Sequence, residues 1–573
     1  MQPQLLTVLL VNLFTRRTDR RKNMKKIAIT LILLVGFVTL VGAQYGRGGS
    51  MQKLLNAQYA ISNFYVDTVN EDKLIEEAIK GMLESLDPHS SYTDAKETKE
   101  LEEPLQGEFS GIGIQFNMKQ DTLYVIQTIV GGPSEKVGIM AGDRIVTVND
   151  STIAGVKMKN SDIMKRLRGK KGTKVTVQVK RGTSPELITF RITRDKIPLY
   201  SVDATYMIDS KTGYIRISRF GAKTHEEMVE AIQKLDKQGM KQLIIDLGDN
   251  GGGYLNAAID MCNEFLQRKQ LIVYTQGNNS PRQEGHADGS GRYKDLKLVV
   301  LVDQFSASAS EIFAGAMQDW DRAVIVGRRS YGKGLVQRPF RFDDGSMIRL
   351  TVARYFTPSG RCIQKPYVKG DKKQYDEDLL DRSKDGEYFH LDSIQFNDSL
   401  SYKTLKNGRT IYGGGGIMPD VFVPLDTTEN SKYYRNMMAK GIINQFAVDY
   451  VDKHRTEIKS NYKDVYDFDK RFSLTDADMK NFIAMGEKDS VKYNEKDFTT
   501  SSNLFKTVLK GLIARDVYAD PGAYTIIINH RNKDVQEALR VINDDRLFNS
   551  LLSRGNPEYD RLAREHKEKK KKK

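Results

Sequence analysis

Leu298-Val299-Val300-Leu301-Val302 is an apolar run of strand character, and Ser306-Ala307-Ser308-Ala309-Ser310-Glu311 follows it where a helix, Ser310–Trp320, is predicted to begin. A second apolar strand, Ala323–Val326, comes directly afterwards. A strand that runs into a helix and then into another strand is the repeating unit of a largely parallel α/β sheet. The same alternation holds from about 200 to 425. It includes Gly213–Ile217, His225–Gln238, Gln242–Leu247 and Leu255–Leu266, which predicts an α/β core. A polar stretch (Gly277–Gly291) and a charged one (Lys369–Glu387) read as surface excursions, and the core closes at Gly413–Gly416 and Ile417-Met418-Pro419-Asp420.

Chemistry enters through what this stretch holds and what it lacks. Three serines lie in the small-residue run, and Tyr331-Gly332-Lys333-Gly334 follows. Neither piece carries a histidine, so hydrolysis here would be Ser–Lys chemistry. A lysine serves as base only when burial or neighbours bring its pKa down towards neutrality. Lys333 sits on a turn beside a strand, and Gln337 could orient its amine through a neutral amide. A carboxylate in that place would favour the ammonium and spoil the base. Charge developing on the attacked carbonyl needs backbone donors. The Ala309 N–H, at the helix start, is one candidate, and the turn Asn250-Gly251-Gly252-Gly253 offers others. Taken alone, alternating Ser and Ala at a helix start is also ordinary packing chemistry.

Residues 105–195 have a different texture. Gly111-Ile112-Gly113-Ile114-Gln115-Phe116 alternates like a strand, as do Leu123–Ile129, Ile145–Val148, Lys174–Val179 and Thr189–Thr193, with short helices at Ser134–Gly138 and Ser161–Arg168. The run GGPSEKVGIMAGDRIVTVND, residues 131–150, resembles the PDZ consensus. That resemblance implies that Gly111, Ile112, Gly113 and Ile114 bind peptide: backbone N–H groups hold a terminal carboxylate and a sheet edge accepts the tail as an added strand.

The joint pattern goes further. Leu86-Asp87-Pro88-His89-Ser90-Ser91-Tyr92, a PDZ domain, the Ser-Ala-Ser-Ala-Ser-Glu run, Tyr-Gly-Lys-Gly-Leu-Val-Gln, Tyr355-Phe356-Thr357-Pro358-Ser359-Gly360-Arg361 and Gly-Gly-Gly-Ile-Met-Pro-Asp occur in that order over roughly residues 50–425. Together they resemble the carboxyl-terminal processing (tail-specific) serine peptidases. The resemblance implies a ClpP/crotonase-like α/β core with an inserted, β-rich PDZ domain. It implies Ser308 as nucleophile, Lys333 as general base, Gln337 as its orienting partner, and Ala309 with a glycine of the 251–253 turn, here Gly252, as the oxyanion hole. It also implies cleavage of protein or peptide substrates near their free C-termini. The chain departs from the family's Arg-Asn-Asn-Pro-Gly-Gly turn, having Gly248-Asp249-Asn250-Gly251-Gly252-Gly253 instead. Asp319, His89 and His225 read as structural or surface residues. A non-catalytic PDZ scaffold and an acyl-CoA enzyme on the same core are the competing readings; retention of Ser308 with Lys333 disfavours the first, and the PDZ domain with its export signal the second.

The remaining sequence sets the context. With 573 residues the chain is too long for one core. The net charge of +15 lies partly in Arg16–Lys22 and in Lys567–Lys573, the latter of which reads as a solvated tail. No nucleic-acid module is visible, so no nucleic-acid partner is expected. Cys262 and Cys362 are the only cysteines and show no metal-ligand spacing, so no metal or cofactor is expected. Met24-Lys25-Lys26, the apolar run Ile27–Val41 and Val41-Gly42-Ala43 form a signal-peptide pattern, with an expected cut after Ala43. The protein is therefore expected to be exported to the periplasm, or held at a membrane facing it if the segment stays uncleaved. The expected order is an extension with signal peptide (1–43), an N-terminal helical region (44–104), the PDZ domain (105–195), the peptidase core (196–425) and a C-terminal helical domain with a basic tail (426–573). In the N-terminal region Leu74, Ile75, Ala78, Ile79, Met82, Leu83 and Leu86 recur at helical spacing, and both packing on the core and a homodimer contact are open to it.

Overall fold

A computed structural model of the chain describes residues 49–119, 121–129, 131–182, 184–394, 398–559, 561–562 and 564–565. The signal-peptide pattern and the basic run at 567–573 lie outside the described residues. The chain divides into two compact units, residues 1–82 and 83–573. In the first, residues 49–64 are helical, and the helix Glu71–Glu84 begins there. Among the described residues no helix is long and apolar enough to cross a membrane.

The second unit is organised by a six-stranded sheet. Its order is Val202–Met207, Thr212–Ile217, Gln242–Asp246, Lys297–Val302, Val324–Gly327 and Val421–Phe422. The first pair is antiparallel and every later pair parallel. Alternate residues of these strands face opposite sides. Ile215, Leu243, Ile245 and Val300 pack against the helices Thr224–Asp236, Leu255–Asn263 and Ala309–Asp319. Tyr214, Ile244, Val299 and Leu301 share a second core with the C-terminal helices, among them Ile442–Asn461 and Glu495–Tyr518. The C-terminal helical region is thus the layer that covers one whole face of the sheet. Its element boundaries follow local signals: Thr475 caps Asp476–Lys488, and Gly441, at φ 71°, separates Lys432–Ala439 from Ile442–Asn461.

Two further large sheets belong to the unit, beside two-stranded pairs. An antiparallel one joins Ser91–Thr93, Met347–Phe356, Leu271–Gly277 and Ser280–His286, with Leu335–Arg341 paired to Met347–Phe356. The polar stretch read as an excursion therefore contributes the strand Ser280–His286, and the charged one the helix Lys372–Lys384. The third sheet holds Ile114–Lys119, Thr122–Thr128, Arg144–Val148, Lys174–Lys180 and Leu187–Thr193 around a separate core that includes Leu123, Val125, Ile145 and Val177. A two-stranded stem, Glu108–Gly111 against Asp195–Pro198, carries this PDZ domain. The single strand expected from Gly111 to Phe116 is broken at Ile112-Gly113, where Gly113 has φ 73°.

Candidate active site

The sheet brings the serine run and the glycine turn together because their strands are neighbours: Gln242–Asp246 pairs with Lys297–Val302, and each loop leaves from the same end. Asn250 joins them. Its carbonyl accepts from the Ala307 N–H at 3.0 Å and from the Ser310 hydroxyl at 2.8 Å, while its amide donates to the Ile217 carbonyl at 2.8 Å. The Ser306 hydroxyl donates to the Leu247 carbonyl at 2.7 Å. Ser306 and Ser310 are thus buried and committed to holding the loop. Ser308 differs from both. It is partly exposed, it lines a cleft of about 910 Å³, and its backbone is at φ 56°, ψ −112°. A non-glycine residue in that region is strained by about 1–3 kcal/mol, and such strain concentrates at functional sites.

Small residues are required here. A Cβ on Gly252, which has φ 95°, would lie 2.6 Å from the Ala307 carbonyl oxygen, 2.8 Å from Ser308 Cβ and 2.9 Å from Ala309 N. Among the described residues nothing accepts the Ala309 N–H, so glycine at 252 keeps the approach to that donor open. The Gly252 N–H itself is not presented to the cleft: it donates to Asn250 Oδ1 at 2.9 Å. Gly251 and Gly253 have N–H groups without an acceptor among the described residues. Gly252 therefore acts on this site through its shape, and its N–H, expected as an oxyanion donor, is held by the side-chain oxygen of Asn250 in its own turn.

Lys333 enters from the opposite side on a loop threaded between other backbones. A Cβ at Gly332 would lie 3.2 Å from the Gly415 carbonyl carbon, and one at Gly334 would lie 2.8 Å from Gln364 N, which explains the glycines on either side. Two side chains tie this loop to the serine. Fully buried Glu311 accepts from the N–H groups of Ser308 (2.8 Å), Lys333 (2.9 Å) and Gly332 (2.7 Å) and from the Ser330 hydroxyl (2.5 Å). The Tyr355 hydroxyl lies 2.5 Å from the Lys333 carbonyl and 3.1 Å from that of Ser308. Sequence reading gave neither residue a role. The signal for Glu311 was present, since Ser-x-x-Glu at a helix start is the spacing of a capping box.

The electrostatics of the lysine follow from its surroundings. Burial, with the Arg349 guanidinium nearby as a second cause, brings Lys333 down to about 8. Its amine forms no ion pair or hydrogen bond with any described residue, and it lines the same cleft as Ser308. Hydrogen bonds of catalytic groups are often long before substrate binds. Gln337 also lines the cleft, but its amide donates to Thr351 Oγ1 at 3.2 Å rather than to the lysine. Thr351 in turn donates to Asp87 at 2.7 Å, so the Leu86–Tyr92 segment braces this wall. His89 bonds to the Tyr375 hydroxyl at 2.9 Å, and burial lowers it to about 3, keeping it neutral. His225 is engaged with Glu264 at 2.9 Å, and Asp319 forms a fully buried pair with Arg361 at 2.7 Å.

In the PDZ domain Gly111 ends the stem strand and Ile114 begins Ile114–Lys119, an edge of its sheet. The carbonyls of Ile112 and Gly113 accept from Ser134 and Ile129, both at 3.0 Å, while their N–H groups have no acceptor among the described residues. The Ile112 side chain is in the domain core.

Comparison with known proteins agrees with this architecture. Residues 211–373 match peptidase family S41, residues 110–192 a PDZ domain, and residues 39–98 the N-terminal domain of the activating protease CtpB. Residues 433–520 match a family of unknown function. A probable CtpA-like serine protease of Staphylococcus epidermidis is 33% identical over 357 residues, which is 60% of this chain and 72% of that protein. A protein of the same description from Staphylococcus aureus strain N315 is 35% identical over 324 residues, covering 56% and 64%. A solved photosystem II D1 C-terminal processing protease aligns at 30% identity with a TM-score of 0.32, over 54% of this chain and 89% of that one. The chain belongs to peptidase family S41, as a serine protease of the CtpA-like type that carries a PDZ domain.

Proposed function

We propose that the protein is an exported endopeptidase that cleaves polypeptides near their C-termini through a Ser308–Lys333 dyad. Neutral Lys333 takes the Ser308 proton as the hydroxyl attacks the substrate carbonyl. The oxyanion is received by the Ala309 N–H, with Gly251 or Gly253 as the second donor. Collapse of the tetrahedral intermediate breaks the C–N bond and releases the C-terminal fragment, whose amine takes the proton from Lys333, and the acyl-enzyme is then hydrolysed by water that neutral Lys333 activates in the same way. Gln337 orients the lysine once its amide turns from Thr351. The PDZ loop Gly111–Ile114 receives the substrate tail, with the edge strand Ile114–Lys119 pairing to it. The observation that carries this reading is the contrast among the three serines: Ser306 and Ser310 are tied to carbonyls, and Ser308 alone of the three faces a cleft that also holds a lysine without an acid partner among the described residues.

The test is cleavage of an unfolded protein such as casein by the purified chain, by Ser308→Ala and by Lys333→Ala. Loss of turnover in both variants is expected. Equal activity in all three proteins sinks the mechanism, and loss confined to Lys333→Ala means that another residue is the nucleophile. Export is tested separately by N-terminal sequencing of the protein recovered from its native membrane and soluble fractions; a mature chain that keeps Met24–Ala43 in a soluble fraction rejects it.

A further inference from the structure

Arg349 lines the cleft together with Ser308 and Lys333, on the strand Met347–Phe356. It is only partly exposed, yet its guanidinium forms no ion pair or hydrogen bond with any described residue. A guanidinium carries five N–H donors and stays charged, so an enclosed arginine is ordinarily found with an acid. The nearby carboxylates cannot supply one. Asp87 is engaged by the His89 N–H (3.0 Å), the Ser90 N–H (3.1 Å) and hydroxyl (2.5 Å), and the Thr351 hydroxyl (2.7 Å). Glu311 already accepts from four donors. Of the acids on the cleft rim, Glu102 is paired with Arg341, and Asp260 is exposed on the helix Leu255–Asn263. Lys333 and Arg349 thus stand in the cleft, which Arg219 also lines, with the buried acids Asp87 and Glu311 already occupied. The lysine needs that isolation to be a base. The arginine stays a cation at any working pH, and it presents a planar fork of donors suited to a carboxylate.

We propose that Arg349 is a specificity residue: its guanidinium receives a carboxylate of the bound polypeptide close to the bond under attack, so segments carrying an acid there are preferred substrates. This rests on Ser308 and Lys333 marking the place of attack. The carboxylate is either an Asp or Glu side chain or the chain terminus itself, and the two are separable by experiment.

Cleavage sites in casein are mapped by mass spectrometry with the full-length protein, and matched quenched-fluorescent peptides are built on one of them. The peptides carry Glu or Gln at each position flanking the bond and end in a free or amidated terminus. The expected result is a preference of about tenfold in kcat/KM for the carboxylate at one position. The ratio falls to near one in Arg349→Gln, is partly kept in Arg349→Lys, and turns in favour of Lys at that position in Arg349→Glu. Taking the ratio within each variant cancels any fall in overall activity. A dependence on amidation alone assigns the chain terminus, and a dependence on Glu against Gln assigns a side chain. A ratio of one at every position in the wild type, or a preference that survives in Arg349→Gln, overturns the proposal. So does a shift of the pH profile in Arg349→Gln with the preference unchanged, which would make Arg349 only an electrostatic neighbour of Lys333. Binding of the same peptides to Ser308→Ala, read by fluorescence anisotropy with and without Arg349→Gln, repeats the comparison without turnover. If Ser308→Ala cleaves as well as wild type, the nucleophile assignment fails while the binding ratio still decides on Arg349.

Discussion

On the serine side of the cleft nearly every polar group is engaged; on the lysine side the two groups that matter are not. Ser306, Ser310, Asn250 and Glu311 lock the loop through hydrogen bonds of 2.5–3.0 Å to backbone and hydroxyl partners. Opposite them, Lys333 and Arg349 have no partner among the described residues, while the backbone beneath Lys333 is held by Glu311 and Tyr355. The difference teaches how a reactive site is made rigid without being neutralised. Acids fix the main chain, and because their lone pairs are filled by N–H and O–H donors they do not pair with the cations.

The largest effect expected from breaking this contrast is on turnover. Ser308→Ala and Lys333→Ala should each lower kcat by about 10⁴-fold or more, as removal of a nucleophile or its base does. Ser306→Ala and Ser310→Ala should keep the reaction and lose about 0.5–1.5 kcal/mol of stability each, read by urea unfolding, because each removes one buried hydrogen bond while the Leu247 and Asn250 carbonyls keep the N–H groups of Asn250 and Ala307. Gly252→Ala places a methyl group beside the Ala309 N–H and should lower kcat about 10²–10³-fold, the usual cost of one lost oxyanion donor. A Gly252→Ala enzyme of normal kcat would remove Ala309 from the oxyanion hole.

Glu311→Gln tests the locking itself. An amide has one acceptor oxygen where the carboxylate has two, and its NH₂ would face backbone donors, so a loss of about 1–3 kcal/mol is expected. Burial already pushes the Glu311 carboxyl up to about 7. Activity should therefore fall on the acid side as this acceptor takes a proton, and rise through about pH 8 as Lys333 loses one. A flat rate between pH 6 and 9 would contradict both assignments.

The smallest effect is a gain. Lys333 has a depressed folded-state pKa, so the unfolded chain binds its proton more tightly. Stability is lowered in full below about 8 and recovers between about 8 and the ordinary lysine value of 10.5. Lys333→Met should accordingly be more stable at pH 7 by about 1–2 kcal/mol, with the gain closing as the pH approaches 10.5. Equal unfolding midpoints at pH 7 would mean that the lysine is better solvated than its place in the cleft implies.

Some of this was legible before any coordinates. Periodicity alone gave the strand at Leu298–Val302 and the helix after it. Local rules hold there because each element's neighbours along the chain decide its conformation. They failed where a polar segment is made a strand by its partner, as Ser280–His286 is by Leu271–Gly277. They failed also at Ile112-Gly113, where a left-handed glycine interrupts an alternating run.

The sequence by itself determined the chemistry open to this protein: a serine and a lysine without a histidine, small residues where backbones must meet, and a peptide-binding domain ahead of an α/β core. Only the tertiary structure tied Ser306 and Ser310 to carbonyls while Ser308 faces the cleft, gave Gly252 a steric role with its N–H turned to Asn250, and laid the C-terminal helices over a face of the central sheet. The physical reason is that residue type fixes which bonds a group can make. Which bonds it does make depends on donors and acceptors brought in from distant parts of the chain, such as Glu311 for the Lys333 loop and Asp87 for Thr351.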